Sequence, residues 1–347
     1  MSIGVYYALG GAVLFGASTP IAKILLGEIQ PVMVAGLLYA GSGLGLGVWI
    51  ALRRLIVSAA RQPPFSTSDF KWLAGVVVLG GILGPALLMV GLAAASAAAT
   101  SLLLNLEGVF TALFAWFVFK ENFDRRLLFG MLLIVSGGLV LGFQPGGFSF
   151  SWPLAAVALA CLCWALDNNL TRKISASDPV KIAAIKCSVA GALNLSVLAA
   201  FGGAMPAPNA ALAAALVGLL GYGVSLALFV VALRNLGTAR TGAYFSTAPF
   251  IGAALSFLLL NESPDGFFWI AAALMASGVI LHMMEHHQHV HGHDSLTHDH
   301  DHSHDEHHRH GHDFDWNGAE PHSHEHRHEP LHHSHAHYPD IHHRHGH

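Results

Sequence analysis

Three polar residues in a row, Asp167-Asn168-Asn169, close a stretch that is otherwise apolar from Leu154 onward. Glu107 stands inside a second apolar stretch and Lys186 inside a third. Ionisable groups in such surroundings are costly in lipid and mark transport paths by default. A carboxylate there can carry a proton or hold a cargo group, and an amide can hydrogen-bond a solute. The alternative is structural: Lys186 is the natural counter-charge for one of the two acids, and the asparagines can bond between helices. On a helix Asp167 and Asn168 point about 100° apart, so together they can line two walls of one groove.

A second chemistry sits at the end of the chain. All 26 histidines lie at or after His282, interleaved with Asp, Glu, Ser and Gly. Neutral imidazole is the commonest metal ligand, and imidazole-rich sets suit zinc, nickel, cobalt and copper more than magnesium. The candidate ligands are His286, His287, His289, His291, His293, His298, His300, His302, His304, His307, His308, His310 and His312. With no cysteine there, zinc, nickel or cobalt is expected, on several weak sites. The alternatives are a pH-responsive segment, since imidazoles charge near pH 6, and a plain solvated extension. Low complexity and high polarity predict that this segment does not fold alone.

The three cysteines, Cys161, Cys163 and Cys187, fall in apolar stretches. Cys161 and Cys163 point about 200° apart on a helix, so they read as packing. No glycine run is followed by Gly-Lys-Ser/Thr, which leaves ATP-driven pumping unsupported. The first 281 residues hold no histidine, and nothing in them reads as enzyme machinery or calls for a cofactor.

The elements that must position these residues are membrane helices. The chain is 53% hydrophobic and 11% charged, where soluble domains carry about 25% charged residues. Apolar runs long enough to cross a bilayer fall at roughly 3–24, 32–52, 72–92, 97–118, 127–143, 152–171, 182–201, 211–233, 239–260 and 267–284. Ten spans are therefore expected, the first of them a retained helix because no basic segment precedes it. The histidine-rich tail, 285–347, is acidic and of a different material.

Basic residues orient the spans. Arg53, Arg54, Arg61, Lys71, Lys120, Arg125, Arg126, Arg172, Lys173, Lys181, Arg234 and Arg240 all fall on one side of a ten-span arrangement. The positive-inside rule puts that side, and both termini, in the cytoplasm of a plasma or inner membrane. Lys23 and Arg172 lie near span ends, where snorkelling explains them.

An internal repeat organises the spans. At an offset of 141 residues Leu92 meets Leu233, Ala98 meets Ala239, Thr100 meets Thr241, Ala112 meets Ala253 and Glu121 meets Glu262. The same offset pairs Leu133, Ser136 and Gly137 with Leu274, Ser277 and Gly278. Each half, 1–143 and 152–284, holds five spans. Five is odd, so the second half enters the membrane from the opposite side, as in many secondary transporters.

These halves resemble the EamA-type repeats of the drug/metabolite transporter superfamily. The resemblance rests on Phe15-Gly16-Ala17-Ser18-Thr19-Pro20, on Ala93 to Glu121, and on Ser136-Gly137-Gly138. In the second half it rests on Cys163-Trp164-Ala165-Leu166-Asp167-Asn168-Asn169 and on Ala232 to Glu262 with Pro249. It implies a ten-helix carrier with a central cavity and cytoplasmic termini, and leaves the cargo open. The family commonly has a proline in the middle of the fourth and ninth helices. Here the ninth has Pro249, whereas the fourth has Gly108 preceded by Glu107. Pro20, Gly108 and Pro249 are accordingly the expected helix-loosening points.

The expected protein is an all-α integral membrane carrier, of alternating access and open to proton coupling, for a small metabolite or drug-like solute. A transition-metal carrier fed by the tail is the alternative, and a membrane-anchored metal buffer or sensor the third reading. The partners are the bilayer and a small-molecule or ion substrate, without nucleic acid; a homodimer is left open.

Overall fold

The structure is a computed structural model. It describes residues 3–56, 69–119, 125–144, 147–148, 151–172, 179–236, 238–283, 287–293, 297–302, 322–327 and 331–337, the last four stretches by their backbone alone. Two compact units emerge, Met1–Met284 and Glu285–His347.

The larger unit is helical because its apolar runs have no other way to satisfy their backbone in lipid. Its first half comprises α1 (Ile3–Leu25), α2 (Pro31–Ile56), α3 (Asp69–Val76), α4 (Gly84–Ala94), α5 (Ala97–Leu103), α6 (Leu106–Phe119) and α7 (Arg125–Val140). After a short antiparallel pair, β1 (Phe143–Gln144) and β2 (Gly147–Phe148), come α8 (Trp152–Arg172), α9 (Pro179–Ala200), α10 (Pro208–Gly218) and α11 (Ser225–Leu236). The half ends with α12 (Thr238–Phe245), α13 (Ala248–Leu260) and α14 (Gly266–Met283). Seven described helices are long and apolar enough to cross a membrane, and Ala248–Leu260 and Gly266–His282 are shorter apolar helices. The expected stretches fall largely on described helix, with turns at 104–105 and 246–247 and with the fifth ending at Val140. Outward faces stay apolar: Leu44, Phe117 and Leu258 are each more than two-thirds exposed, as lipid-facing residues are.

Two stretches expected as plain helix are widened. Val77–Leu83 joins α3 to α4 and Leu219–Val224 joins α10 to α11, both as π-helix. The two segments begin 142 positions apart, close to the offset of the sequence repeat. A further pair of interruptions follows the same spacing: turns at Leu104–Asn105 between α5 and α6, and at Ser246–Thr247 between α12 and α13.

The halves interleave. Helix α2 packs against α9 and α10, α8 against α4 and α6, α7 against α14, and α1 against α11 and α13. Leu38, Leu88, Met89, Leu92, Leu102 and Met275 form the sealed centre. A Cβ on Gly218 would strike the Leu38 backbone, and one on Gly41 the Ala215 backbone, so α2 and α10 meet main chain to main chain.

In the tail, β3 (His287–His293) pairs antiparallel with β6 (Leu331–His337), and β4 (Thr297–His302) with β5 (His322–Arg327). The physical reason is periodicity: His-x-His repeats every two residues, which is the strand period. The register sets His287, His289 and His291 opposite His337, His335 and His333, and His298, His300 and His302 opposite His326, His324 and His322.

Candidate functional site

The site begins with a carbonyl that the helix cannot satisfy. In the widened turn the Gly84 N–H bonds the Leu79 carbonyl, five residues back. The next residue, Pro85, has no N–H to give to the Gly80 carbonyl. Two side chains donate instead: Tyr39 Oη from α2 at 2.9 Å and Trp164 Nε1 from α8 at 3.1 Å. Gly80 also lets α8 come close, since a Cβ there would land on the Asp167 carboxylate.

Asp167 is thereby fixed, 2% exposed, beside the widened turn. Lys186 of α9 reaches its Oδ2 at 2.7 Å, and Thr171, one turn along α8, donates to Oδ1 at 3.2 Å. A buried carboxylate needs such company, because charge taken out of water is costly unless paired and hydrogen-bonded. The pair ties α8 to α9.

The second acid lies next door. Asn168 Nδ2 donates to Glu107 Oε1 of α6 at 2.8 Å and approaches Thr111 Oγ1 at 3.4 Å. Asn169 Nδ2 bonds the carbonyls of Ala165, at 2.8 Å, and Thr111, at 3.3 Å. Asn168 is exposed and Glu107 partly so. The five residues singled out by sequence are thus one cluster, split into an ion pair whose carboxylate is buried and a more open acid-amide pair.

The remaining candidates stand apart. Helix α1 runs through Pro20 without interruption, and Pro249 occupies the first turn of α13. Gly108 lies in the first turn of α6, three residues beyond the turn at Asn105, whose side-chain amide bonds the Leu102 carbonyl at 2.8 Å. Cys161 and Cys187 are buried, Cys163 partly, and all three are free. Among the described side chains no three His, Cys, Asp or Glu gather as a metal site. The candidate ligands His286, His287, His289, His291, His293, His298, His300, His302, His304, His307, His308, His310 and His312 lie outside the described side chains.

Sequence reasoning missed Tyr39, Gly80, Thr111 and Pro85. Only Pro85 carried a signal, as a proline within an apolar run. An aromatic path extends from the site: Tyr39 meets Tyr222 at 5.7 Å, Tyr222 meets Phe15 at 5.7 Å, and Phe15 meets Phe245 at 5.6 Å.

The chain is similar to an uncharacterized transporter of Methanothermobacter thermautotrophicus, 28% identical over 78% of this chain and 82% of that protein. It is also similar to the uncharacterized transporter YyaM of Bacillus subtilis, 24% identical over 78% of this chain and 92% of that one. A solved crystal structure covers 81% of this chain and 95% of its own, with a TM-score of 0.58 and 21% identity, a likeness of fold alone. The EamA-like transporter family matches twice, at residues 2–143 and 151–284. With most of its length covered by two copies of that unit, the chain belongs to the EamA-like transporter family.

Proposed function

We propose that the chain is an alternating-access carrier with ten membrane crossings, built as two inverted five-helix halves. Its cargo, a small metabolite or drug-like solute, meets Glu107, Asn168 and Thr111. The observation that carries this reading is the division of the polar cluster. Asp167 is 2% exposed and bonded to the partly exposed Lys186 ammonium, while Glu107 has the amide of the exposed Asn168 as its side-chain partner. An acid held by an amide can exchange that partner for a cargo amine or a proton, without leaving a charge buried alone. The shared spacing of the π-helix segments and helix breaks supports the two-half arrangement, and the one-sided distribution of basic residues supports cytoplasmic termini.

The test is uptake into proteoliposomes with and without a proton gradient, using amino acids, organic amines, and nickel, cobalt and zinc ions. Gradient-driven uptake of an organic solute is expected, and lost in Glu107→Gln. Retention of full uptake in that variant would remove Glu107 from the path.

The tail binds zinc, nickel or cobalt in this reading, a role supported by its cross-strand histidine register. The same tail favours the second reading, a transition-metal carrier. Removing residues 286–347 tests the second reading: unchanged metal tolerance and cell metal content overturn the metal carrier and the metal buffer or sensor.

A further inference from the structure

Lys23 and Glu262, which sequence reasoning treats as helix-end residues, converge on one short link. Lys23 Nζ donates to the carbonyls of Leu92, Ala93 and Ala95, at 2.7, 3.0 and 2.9 Å. Leu92 and Ala93 lie in the last turn of α4 and Ala95 caps it, so these carbonyls lack intrahelical partners. Glu262 acts on the other side of the link. Its Oε1 accepts from the Ala97 N–H at 2.7 Å and its Oε2 from the Ala98 N–H at 2.9 Å. Both carboxylate oxygens are therefore spent on the opening turn of α5, whose N–H groups are unpaired by the helix.

The two contacts differ in what they join. Lys23 and the link belong to the same half, so that contact holds the first half together. Glu262 belongs to the second half and grips the first across 164 and 165 positions of sequence. Its aim is set by Asn261, which ends α13 with φ of 52°, a left-handed conformation that asparagine tolerates. Beneath this grip α5 and α13 are sealed together: Ala97, Ala98, Thr100 and Ser101 are at most 2% exposed, as are Ser256 at 0% and Ala248 at 1%. The seal is imperfect in one respect. Thr100 Oγ1 and Ser101 Oγ are buried with no hydrogen-bond partner, a cost that contact with water removes.

We propose that Glu262 is the lock of this end of the bundle, with Lys23 as the residue that positions its catch. Opening releases the two Glu262 bonds, moves the end of α13 away from residues 95–98, and hydrates Thr100 and Ser101. The link stays with its own half through Lys23. The inference rests on the carrier reading above, since only a cycling protein needs an end that opens. It adds a site that neither the polar cluster nor the repeat assigns.

The experiment measures thiol labelling on the full chain in detergent, after replacing Cys161, Cys163 and Cys187 by alanine. The reporter is Ser101→Cys, one turn inside the grip; the control is the chain that keeps Cys187 as its one thiol, buried in α9 at 5% exposed. Glu262→Gln should raise maleimide labelling at position 101 by about tenfold or more, the scale of losing charge-assisted hydrogen bonds. Labelling at position 187 should not follow. Asn261→Val, which leaves the carboxylate but penalises the left-handed turn, should raise labelling at 101 in the same direction. An unchanged rate at 101 in both variants overturns the lock. An equal rise at 101 and 187 also overturns it, because that is general loosening. Labelling needs no cargo, so failure of the lock and failure of the uptake assay are separate results.

Discussion

Asp167 and Glu107 are two acids of one cluster treated in opposite ways. Asp167 has a cation at 2.7 Å, a hydroxyl at 3.2 Å and almost no exposure, whereas Glu107 has the side-chain amide of an exposed asparagine. The first carboxylate has a cation and a hydroxyl for partners, the second an amide. In the proposed carrier this separates support from contact: the Asp167–Lys186 pair fastens α8 to α9, and Glu107 beside it meets the cargo.

The comparison can be broken first at the ion pair. Lys186→Met leaves the buried Asp167 charge alone and should lower stability by about 3–5 kcal/mol. Thermal unfolding in detergent measures it, and most of the loss should return in the double variant Lys186→Met/Asp167→Asn. A single variant as stable as the parent would contradict a structural role for the pair. Gly80→Ala comes next: a methyl group against the Asp167 carboxylate should destabilise by about 1–3 kcal/mol in the same assay. Tyr39→Phe removes one of the two donors to the Gly80 carbonyl and should cost about 1 kcal/mol, because Trp164 still satisfies it. The smallest stability effect belongs to the open acid. Glu107→Gln should stay within about 0.5 kcal/mol of the parent while uptake into proteoliposomes collapses. A large melting shift in that variant would place Glu107 with the structural acids.

The helices were legible because long apolar runs admit one backbone solution in lipid, and both halves showed in the residues repeated from Leu92 to Glu262. The pairing of Lys186 with one acid was legible as charge balance, though not which acid. That choice depends on the approach of α8 to Gly80, which follows from a missing N–H at Pro85 and a missing Cβ. Such causes act between neighbours distant in sequence. The bond from Asn168 to Glu107 was hidden for the same reason: it depends on how α6 and α8 are rotated against each other. The role of Lys23 is hidden because a charge near a helix end has an easy explanation in lipid headgroups, and that of Glu262 because it reads as a repeat position alone. Their targets are backbone atoms, which carry no mark in sequence. In the tail, the two-residue spacing of histidine is visible in the sequence, and the cross-strand register depends on partners about 20 to 50 positions away, which spacing does not name.

The widened turn at Val77–Leu83 also sets the phase of its helix. One residue more than an α-turn rotates everything after it by about 100° relative to everything before. Asp69 to Val76 and Gly84 to Ala94 therefore belong to different angular frames, although one apolar run encodes both. A side chain's face on α4 is counted from Gly84, not from Asp69. Losing a single residue between them would leave the hydropathy profile almost untouched, return the widened turn to plain α-helix and keep Leu88 and Leu92 in the core, whereas the same loss inside α4 would turn them toward another neighbour.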